Sequence, residues 1–238
     1  MKLTIIIPCY NEEQYVEKVL QRVLEVNLDY ELQKEIIIVN DGSLDSTQPK
    51  IEQFISQHPS AGIQLLTHEK NKGKGSCIKS ALKMTSGQLV VIQDADLEYN
   101  PEDLNLLLKP FFEKNADVVL GSRFRGSYPR KGPFILHALV NKVYTFISNL
   151  LTSQKLTDIH TCYKMFKTDI IKNITIHEQR FGVDPEIIAK LGHRKNVKIE
   201  EVGISYNGRT FAQGKKINFR DGFRAFYCII KYNLFYRK

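Results

Sequence analysis

Cysteine is scarce and scattered. The four residues, Cys9, Cys77, Cys162 and Cys228, lie far apart and show no metal-ligand spacing. That excludes a small disulfide-framed secreted fold, and the thiols read as reduced and buried, as in a cytosolic protein. Long apolar runs are missing too. No stretch offers ~20 consecutive uncharged apolar residues, so no transmembrane helix is expected. The amino terminus, Met1-Lys2-Leu3-Thr4-Ile5-Ile6-Ile7-Pro8, has too short an apolar run for a signal peptide and reads as a strand. Low-complexity tracts and internal repeats do not occur. Neither does a helix-turn-helix, zinc-finger or RNA-recognition signature, so nucleic acid is not an expected partner. Acids are outnumbered, 26 against 34 Lys and Arg, for a net charge of +8. The excess sits late, at Arg123, Arg125, Arg130 and Lys131 and then from Arg209 to Lys238. A basic surface attracts phosphorylated substrates or anionic membranes, although any single cation is equally at home in water.

What remains is ordinary globular composition, 42% apolar and 25% charged over 238 residues. It suits one α/β domain over residues 1–238 with an appended subregion. Leu3–Ile7, Glu35–Val39, Ile63–Thr67, Gln88–Gln93 and Asp117–Gly121 read as strands, the second so rich in Ile and Val that both its faces should be buried. Helices are expected from Asn11 or Glu12 to Val26, after Asp45, from Gly75 to Thr85 and from Pro101 to Lys114. This alternation predicts a mostly parallel, Rossmann-like, doubly wound sheet with helices on both faces. Beyond Ser122 the character changes. A basic loop at 123–133 precedes an apolar helical stretch, Phe134–Leu151. A helix over Asp184–Leu191, a strand over Val197–Tyr206, a polar loop and an apolar-basic helix over Asn218–Tyr236 follow. Residues 1–122 and 123–238 thus form two halves of one domain.

Ligands of such sheets bind beyond the carboxyl ends of the strands. There the most informative residues are Asp94 and Asp96, following Leu89-Val90-Val91-Ile92. On an extended chain an Asp-x-Asp pair projects to one side. Two close carboxylates repel unless a cation lies between them, and Mg²⁺ or Mn²⁺, shared with substrate phosphates, is the fitting ion. Turn formation or helix capping explains a lone pair of this kind equally well.

Five segments occur in order: Ile6-Ile7-Pro8-Cys9-Tyr10-Asn11-Glu12-Glu13, Val39-Asn40-Asp41-Gly42-Ser43-Leu44-Asp45, Asn71-Lys72-Gly73-Lys74-Gly75, Gln93-Asp94-Ala95-Asp96-Leu97-Glu98 and Ser205-Tyr206-Asn207-Gly208-Arg209-Thr210. Together they resemble the family-two inverting glycosyltransferases of the GT-A fold, in particular dolichyl-phosphate mannose synthase and bacterial polyprenyl-phosphate glycosyltransferases. The likeness spans nearly the whole chain. It implies that residues 1–122 bind a nucleotide-sugar donor through Pro8, Tyr10, Glu12, Asp41, Lys74, Asp94, Ala95 and Asp96, joined by Arg209 and Lys215 of a late basic loop. It implies Asp94, Asp96 and Glu98 as ligands of Mg²⁺ or Mn²⁺, with Asp96 foremost. Asp94, Asp96 and Arg209 would carry the catalysis, and Arg123 and Arg130 would meet the acceptor. Asp41 also reads as a turn residue, Lys74 as a solvated loop lysine, and Tyr10-Asn11-Glu12 as a helix start. Many relatives have Glu where Asp184 stands, so its role stays open.

The activity implied is transfer of a hexose to a polyprenyl or dolichyl phosphate with inversion. Such an acceptor needs cations rather than a general base, because a phosphomonoester with a second pKa near ~6 is already anionic at neutral pH. A soluble saccharide or protein acceptor is the alternative, and a non-catalytic nucleotide-sugar-binding module a further one. The helices over Phe134–Leu151 and Asn218–Tyr236 either pack as core or lie in a membrane interface. The expected location is cytoplasmic, peripheral on the membrane, with a membrane subunit or a second copy as further attachment.

Overall fold

The computed structural model describes residues 1–126, 130–131, 135–209 and 219–236, with backbone alone at 130–131, 135–137 and 219–220. The first half alternates strand and helix: β1 (Lys2–Cys9), α1 (Val16–Glu25), β2 (Gln33–Asn40), α2 (Thr47–Gln57), β3 (Ile63–Thr67), α3 (Lys74–Met84), β4 (Leu89–Ile92), α4 (Leu104–Glu113) and β5 (Val118–Ser122). Then come β6 (Arg130–Lys131), α5 (Ile135–Thr152), β7 (Lys164–Lys167), α6 (Thr168–Lys172), α7 (Val183–Gly192), β8 (Ile199–Gly203), β9 (Tyr206–Asn207) and α8 (Phe219–Leu234).

Seven strands form one sheet in the order β3-β2-β1-β4-β7-β5-β8. Every pairing is parallel except those of β7, which runs antiparallel between β4 and β5. The α/β class and mostly parallel sheet follow the expectation. Ile36-Ile37-Ile38-Val39 of β2 is fully buried, as its unbroken β-branched run requires. Each such side chain contributes about 1.5–3 kcal/mol by leaving water. Val16, Val19, Leu20 and Val23 form the buried stripe that docks α1.

The chain builds outward from β1 through β2 to β3, then crosses back to lay β4 on the other side of β1. The loops after β1 and β4 therefore diverge from neighbouring strand ends, which opens a crevice there.

The structure corrects three sequence expectations. No strand was expected over Lys164–Lys167, a four-residue segment too short for periodicity to register. Its register sets Val91 opposite Met165 and Leu120 opposite Lys164, so residues 160–164 approach the crevice from below. The strand expected over Val197–Tyr206 is two, β8 and β9, the latter paired with β6 in a separate small sheet. α1 starts at Val16, not at Asn11 or Glu12. Asn11 has φ of 49° and ties the loops together, its side chain accepting from Leu44 N at 2.9 Å and its N–H donating to Ser43 Oγ at 3.0 Å.

Gly73 caps α3 with φ of 94°, and a Cβ there would lie 2.5 Å from the Gln179 carbonyl oxygen. Both the left-handed backbone and the close approach demand glycine. Gly73→Ala is expected to cost about 2–3 kcal/mol, visible as a lowered Tm in calorimetry. An unchanged Tm would mean that this loop does not pack as described.

Candidate active site

Two loops at the carboxyl edge, after β1 and after β4, deliver acids to one place, and the segment after β9 delivers a cation to them. After β1, Glu12 anchors its N–H on Thr47 Oγ1 at 2.8 Å, and its carbonyl accepts from Tyr15 N and Val16 N to start α1. Its buried carboxylate turns the other way, into the crevice. After β4, Asp96 and Glu98 fold into a tight turn in which Asp96 Oδ1 accepts from Glu98 N at 3.0 Å. Arg209, following β9, enters between them. Its Nη1 and Nη2 lie 3.0 and 3.2 Å from the two Glu12 oxygens, and Nη2 lies 2.6 Å from Asp96 Oδ2. The backbone N–H of Arg209 donates to Glu98 Oε1 at 2.7 Å, and Tyr206 Oη donates to Glu98 Oε2 at 3.0 Å.

Burial drives the Asp96 carboxyl up to about 7, helped by the negative charges of Asp94 and Glu98 and opposed by Arg209. For Arg209 the carboxylates outweigh burial and hold the guanidinium above its ordinary range.

Asp94 belongs to a second cation. β4 ends at Ile92, so strand alternation does not reach the Asp-x-Asp pair, and the turn sends the two carboxylates to different partners. Lys74 Nζ lies 2.9 Å from Asp94 Oδ1 and 3.0 Å from Cys162 Sγ. Burial alone would raise Asp94 and lower Lys74, but their mutual attraction wins, holding the acid below its usual range and the ammonium above.

The remaining expected residues sit as follows. Asp41 is buried and fully engaged. It accepts from Gly73 N at 2.6 Å and from Lys72 N, and His68 Nδ1 lies 2.6 Å away. It thus ties the loop after β2 to the start of α3. Cys77 completes a compact group with Asp41 and His68, and burial keeps its thiol protonated, well above the ordinary range. Pro8, near the end of β1, and Tyr10, just after it, are half-buried, while the Ala95 side chain is in the core. Arg123 is not an open loop cation. Its Nε and Nη2 form a bidentate pair with the fully buried Asp158 at 2.8 and 2.9 Å, and its Cζ lies 5.1 Å from the centre of the Tyr206 ring. Arg130 is described by its backbone in β6, and Lys215 lies outside the described residues.

Sequence reasoning missed the floor of the crevice. Lys164 is fully buried, donating to Asp184 Oδ1 at 2.6 Å and to the Thr161 carbonyl. Asp184 thus lies in the first turn of α7, past the N-cap Gly182, and pairs with a cation of β7. Burial brings the neighbouring His160 down to about 4, and its Nε2 meets no hydrogen-bond partner among the described residues. These partners are distant in sequence, and only the antiparallel β7 assembles them.

The oxygen set suits a hard divalent ion. Glu12, Asp96 and Glu98 already surround a positive group, and Asp94 stands close enough to raise Asp96.

The family model described as glycosyl transferase family 2 matches residues 4–175. Among curated proteins, the chain is 28% identical over 229 residues to a dolichyl-phosphate beta-glucosyltransferase of Dictyostelium discoideum, covering 91% of this chain and 68% of that protein. It is 28% identical over 222 residues to a dolichol-phosphate mannosyltransferase of Pyrococcus furiosus, covering 91% of this chain and 61% of that protein. The chain thus spans about three-fifths to two-thirds of these relatives' length. Among solved structures, glucosyl-3-phosphoglycerate synthase from Mycobacterium tuberculosis, in complex with Mn²⁺, UDP and phosphoglyceric acid, superposes with a TM-score of 0.73 at 15% identity. That likeness covers 98% of this chain and 78% of the other, and it gives the sheet and helices described above the α/β architecture called GT-A.

Removing the Arg123 fork strands the Asp158 charge in the core. Arg123→Ala is expected to lose about 3–5 kcal/mol of stability in chemical denaturation. The pair Arg123→Gln with Asp158→Asn should recover most of it, and equal losses in both proteins would contradict a charge-pair origin.

Proposed function

The chain belongs to glycosyl transferase family 2, and on that footing we propose that it transfers a hexose from a nucleotide sugar to a polyprenyl or dolichyl phosphate, inverting the anomeric carbon. The observation that carries this reading is the convergence of Glu12, Asp96 and Glu98 on one cation at the crevice beside β1 and β4. Such a cage suits a nucleoside diphosphate and its counter-ion at the place where open α/β sheets bind ligands.

In this reading Asp96 is the principal ligand of Mg²⁺ or Mn²⁺, with Asp94 and Glu98 beside it. The ion supplies charge that stabilises the departing diphosphate. Pro8, Tyr10, Glu12, Asp41 and Ala95 line the nucleoside side. Arg209 and Lys74, with Lys215, face the diphosphate and share its growing negative charge as the sugar leaves. The acceptor phosphate attacks as an anion, so no side chain needs to remove a proton in the displacement step. Arg123, with Arg130, orients that phosphate, and Asp158 holds the Arg123 guanidinium in one geometry before the acceptor arrives.

The lipid acceptor is supported by the surface as well as by the named relatives. No helix among the described residues is long and apolar enough to cross a membrane. Yet α5 exposes Leu139, Val143, Phe146 and Leu150, α8 exposes Phe223 and Tyr227, and Phe235 is exposed just past the end of α8. The two helices pack together, Tyr144 Oη donating to the Gly222 carbonyl at 3.2 Å; Lys142 is exposed on α5, and Arg224 and Lys231, which share the Glu178 carboxylate, lie 5.0 and 5.7 Å from the centre of the Tyr227 ring. Apolar side chains beside cations are the pattern of helices lying in the interface of an anionic membrane. The protein would act there as a peripheral enzyme.

The test is a donor screen with UDP-glucose, GDP-mannose and UDP-N-acetylglucosamine, with Mn²⁺ and a short polyprenyl phosphate. One donor should give a lipid-linked sugar, and Asp96→Ala should lower the rate at least about 10²-fold. Phe146→Glu with Leu150→Glu should abolish sedimentation with anionic vesicles while leaving transfer to a detergent-dispersed acceptor intact. Transfer to soluble saccharides alone would contradict the lipid acceptor. Full activity of Asp96→Ala under saturating Mn²⁺ would contradict the metal assignment.

A further inference from the structure

We propose that Arg209 is an internal competitor of the divalent ion, so that metal binds tightly only together with a nucleoside diphosphate. The inference rests on the metal reading above and concerns the order in which the site fills.

The carboxylate oxygens are already engaged. Three of the six oxygens of Glu12, Asp96 and Glu98 meet the Arg209 guanidinium, and a fourth accepts the Arg209 backbone N–H. The last two accept from Glu98 N and Tyr206 Oη. A hard ion needs the same oxygens at close range, and Mg²⁺ tolerates little departure from octahedral geometry. An ion bound there and a guanidinium 2.6 Å from Asp96 Oδ2 would face each other as like charges across one carboxylate. The two cations therefore exclude one another from the Asp96 side.

Lys74 does not compete in the same way. It is paired with Asp94 on the opposite side of the turn and also touches Cys162. The two acids of the Asp-x-Asp pair thus have separate internal counter-ions, Lys74 for Asp94 and Arg209 for Asp96, and Arg209 is the one that holds the principal ligand.

The guanidinium is also incompletely satisfied where it lies. Arg209 Nε is buried and has no hydrogen-bond partner among the described residues, the nearest oxygen of Glu98 being 3.9 Å away. A buried N–H without an acceptor is unfavourable. A diphosphate offers oxygens that match the guanidinium fork and can satisfy all of its donors. When the diphosphate arrives, Arg209 gains acceptors and releases Asp96, and Asp96 gains the ion. Free metal finds the cage closed by the chain's own cation, whereas metal and nucleotide together open it. By linkage, each then strengthens the binding of the other.

Mn²⁺ affinity, read from the free-ion signal in electron paramagnetic resonance, tests this without any turnover. For Mn²⁺ alone, Arg209→Gln should bind about tenfold tighter than the unaltered chain. With saturating UDP or GDP, whichever binds, the order should reverse, Arg209→Gln binding Mn²⁺ more weakly. Arg209→Lys keeps one charge without the fork. It should fall between the two and carries the test if the glutamine variant does not fold by circular dichroism. If neither variant tightens Mn²⁺ binding without nucleotide, Arg209 is no competitor, while the metal reading stands as long as Mn²⁺ binds with nucleotide. If no protein binds Mn²⁺ in either condition, the inference and the metal reading fail together.

Discussion

Carboxylates gathered in a crevice repel one another, and every other feature of this site follows from how that repulsion is met. Glu12, Asp94, Asp96 and Glu98 come from two loops at adjacent strand ends. Left unpaired, they would protonate or push the loops apart. The chain meets them with two cations, Lys74 for Asp94 and Arg209 for the other three. Neither cation is placed by local sequence alone. Lys74 stands at the start of α3 because Gly73 allows the turn and Asp41 fixes it through Gly73 N and Lys72 N. Arg209 stands after β9, next to a tyrosine that holds Glu98 in position.

The floor of the crevice repeats the device. Lys164 with Asp184 and Arg123 with Asp158 are charge pairs with at least one partner fully buried. Such pairs add little net stability, but breaking one is severe, so they hold a single arrangement. A transferase that expels water from its crevice needs that rigidity, because its electrostatic groups must be aimed before charge develops. The exposed apolar side chains of α5 and α8, by contrast, are directed outward rather than into the sheet.

Much of this was legible in the sequence. The five strands of the first half, their parallel order and the loops that carry the acids follow from β-branched runs, glycine turns and helix periodicity. Asp94 and Asp96 stood out because carboxylates after a buried strand are conspicuous. The rest was hidden for physical reasons. β7 is four residues long, and its pairing depends on tertiary neighbours rather than on an alternating pattern. The separation of Asp94 from Asp96 depends on the strand stopping at Ile92, a boundary that an apolar run does not mark sharply. Arg123 looked like a loop cation because its partner Asp158 is 35 residues away. The role of Asp184 stayed open because its partner, Lys164, is 20 residues away.

In the proposed function, the carboxylate cage that now embraces Arg209 is the place where a divalent ion and a nucleoside diphosphate meet. Diffraction from crystals grown with Mn²⁺ and the bound nucleoside diphosphate, using the anomalous signal of manganese, tests it most directly. One manganese peak against Asp96 is expected, with the Arg209 guanidinium withdrawn from Glu12 and Asp96 onto the diphosphate oxygens. A peak elsewhere, or a guanidinium still between Glu12 and Asp96 with ion and nucleotide both bound, would contradict it.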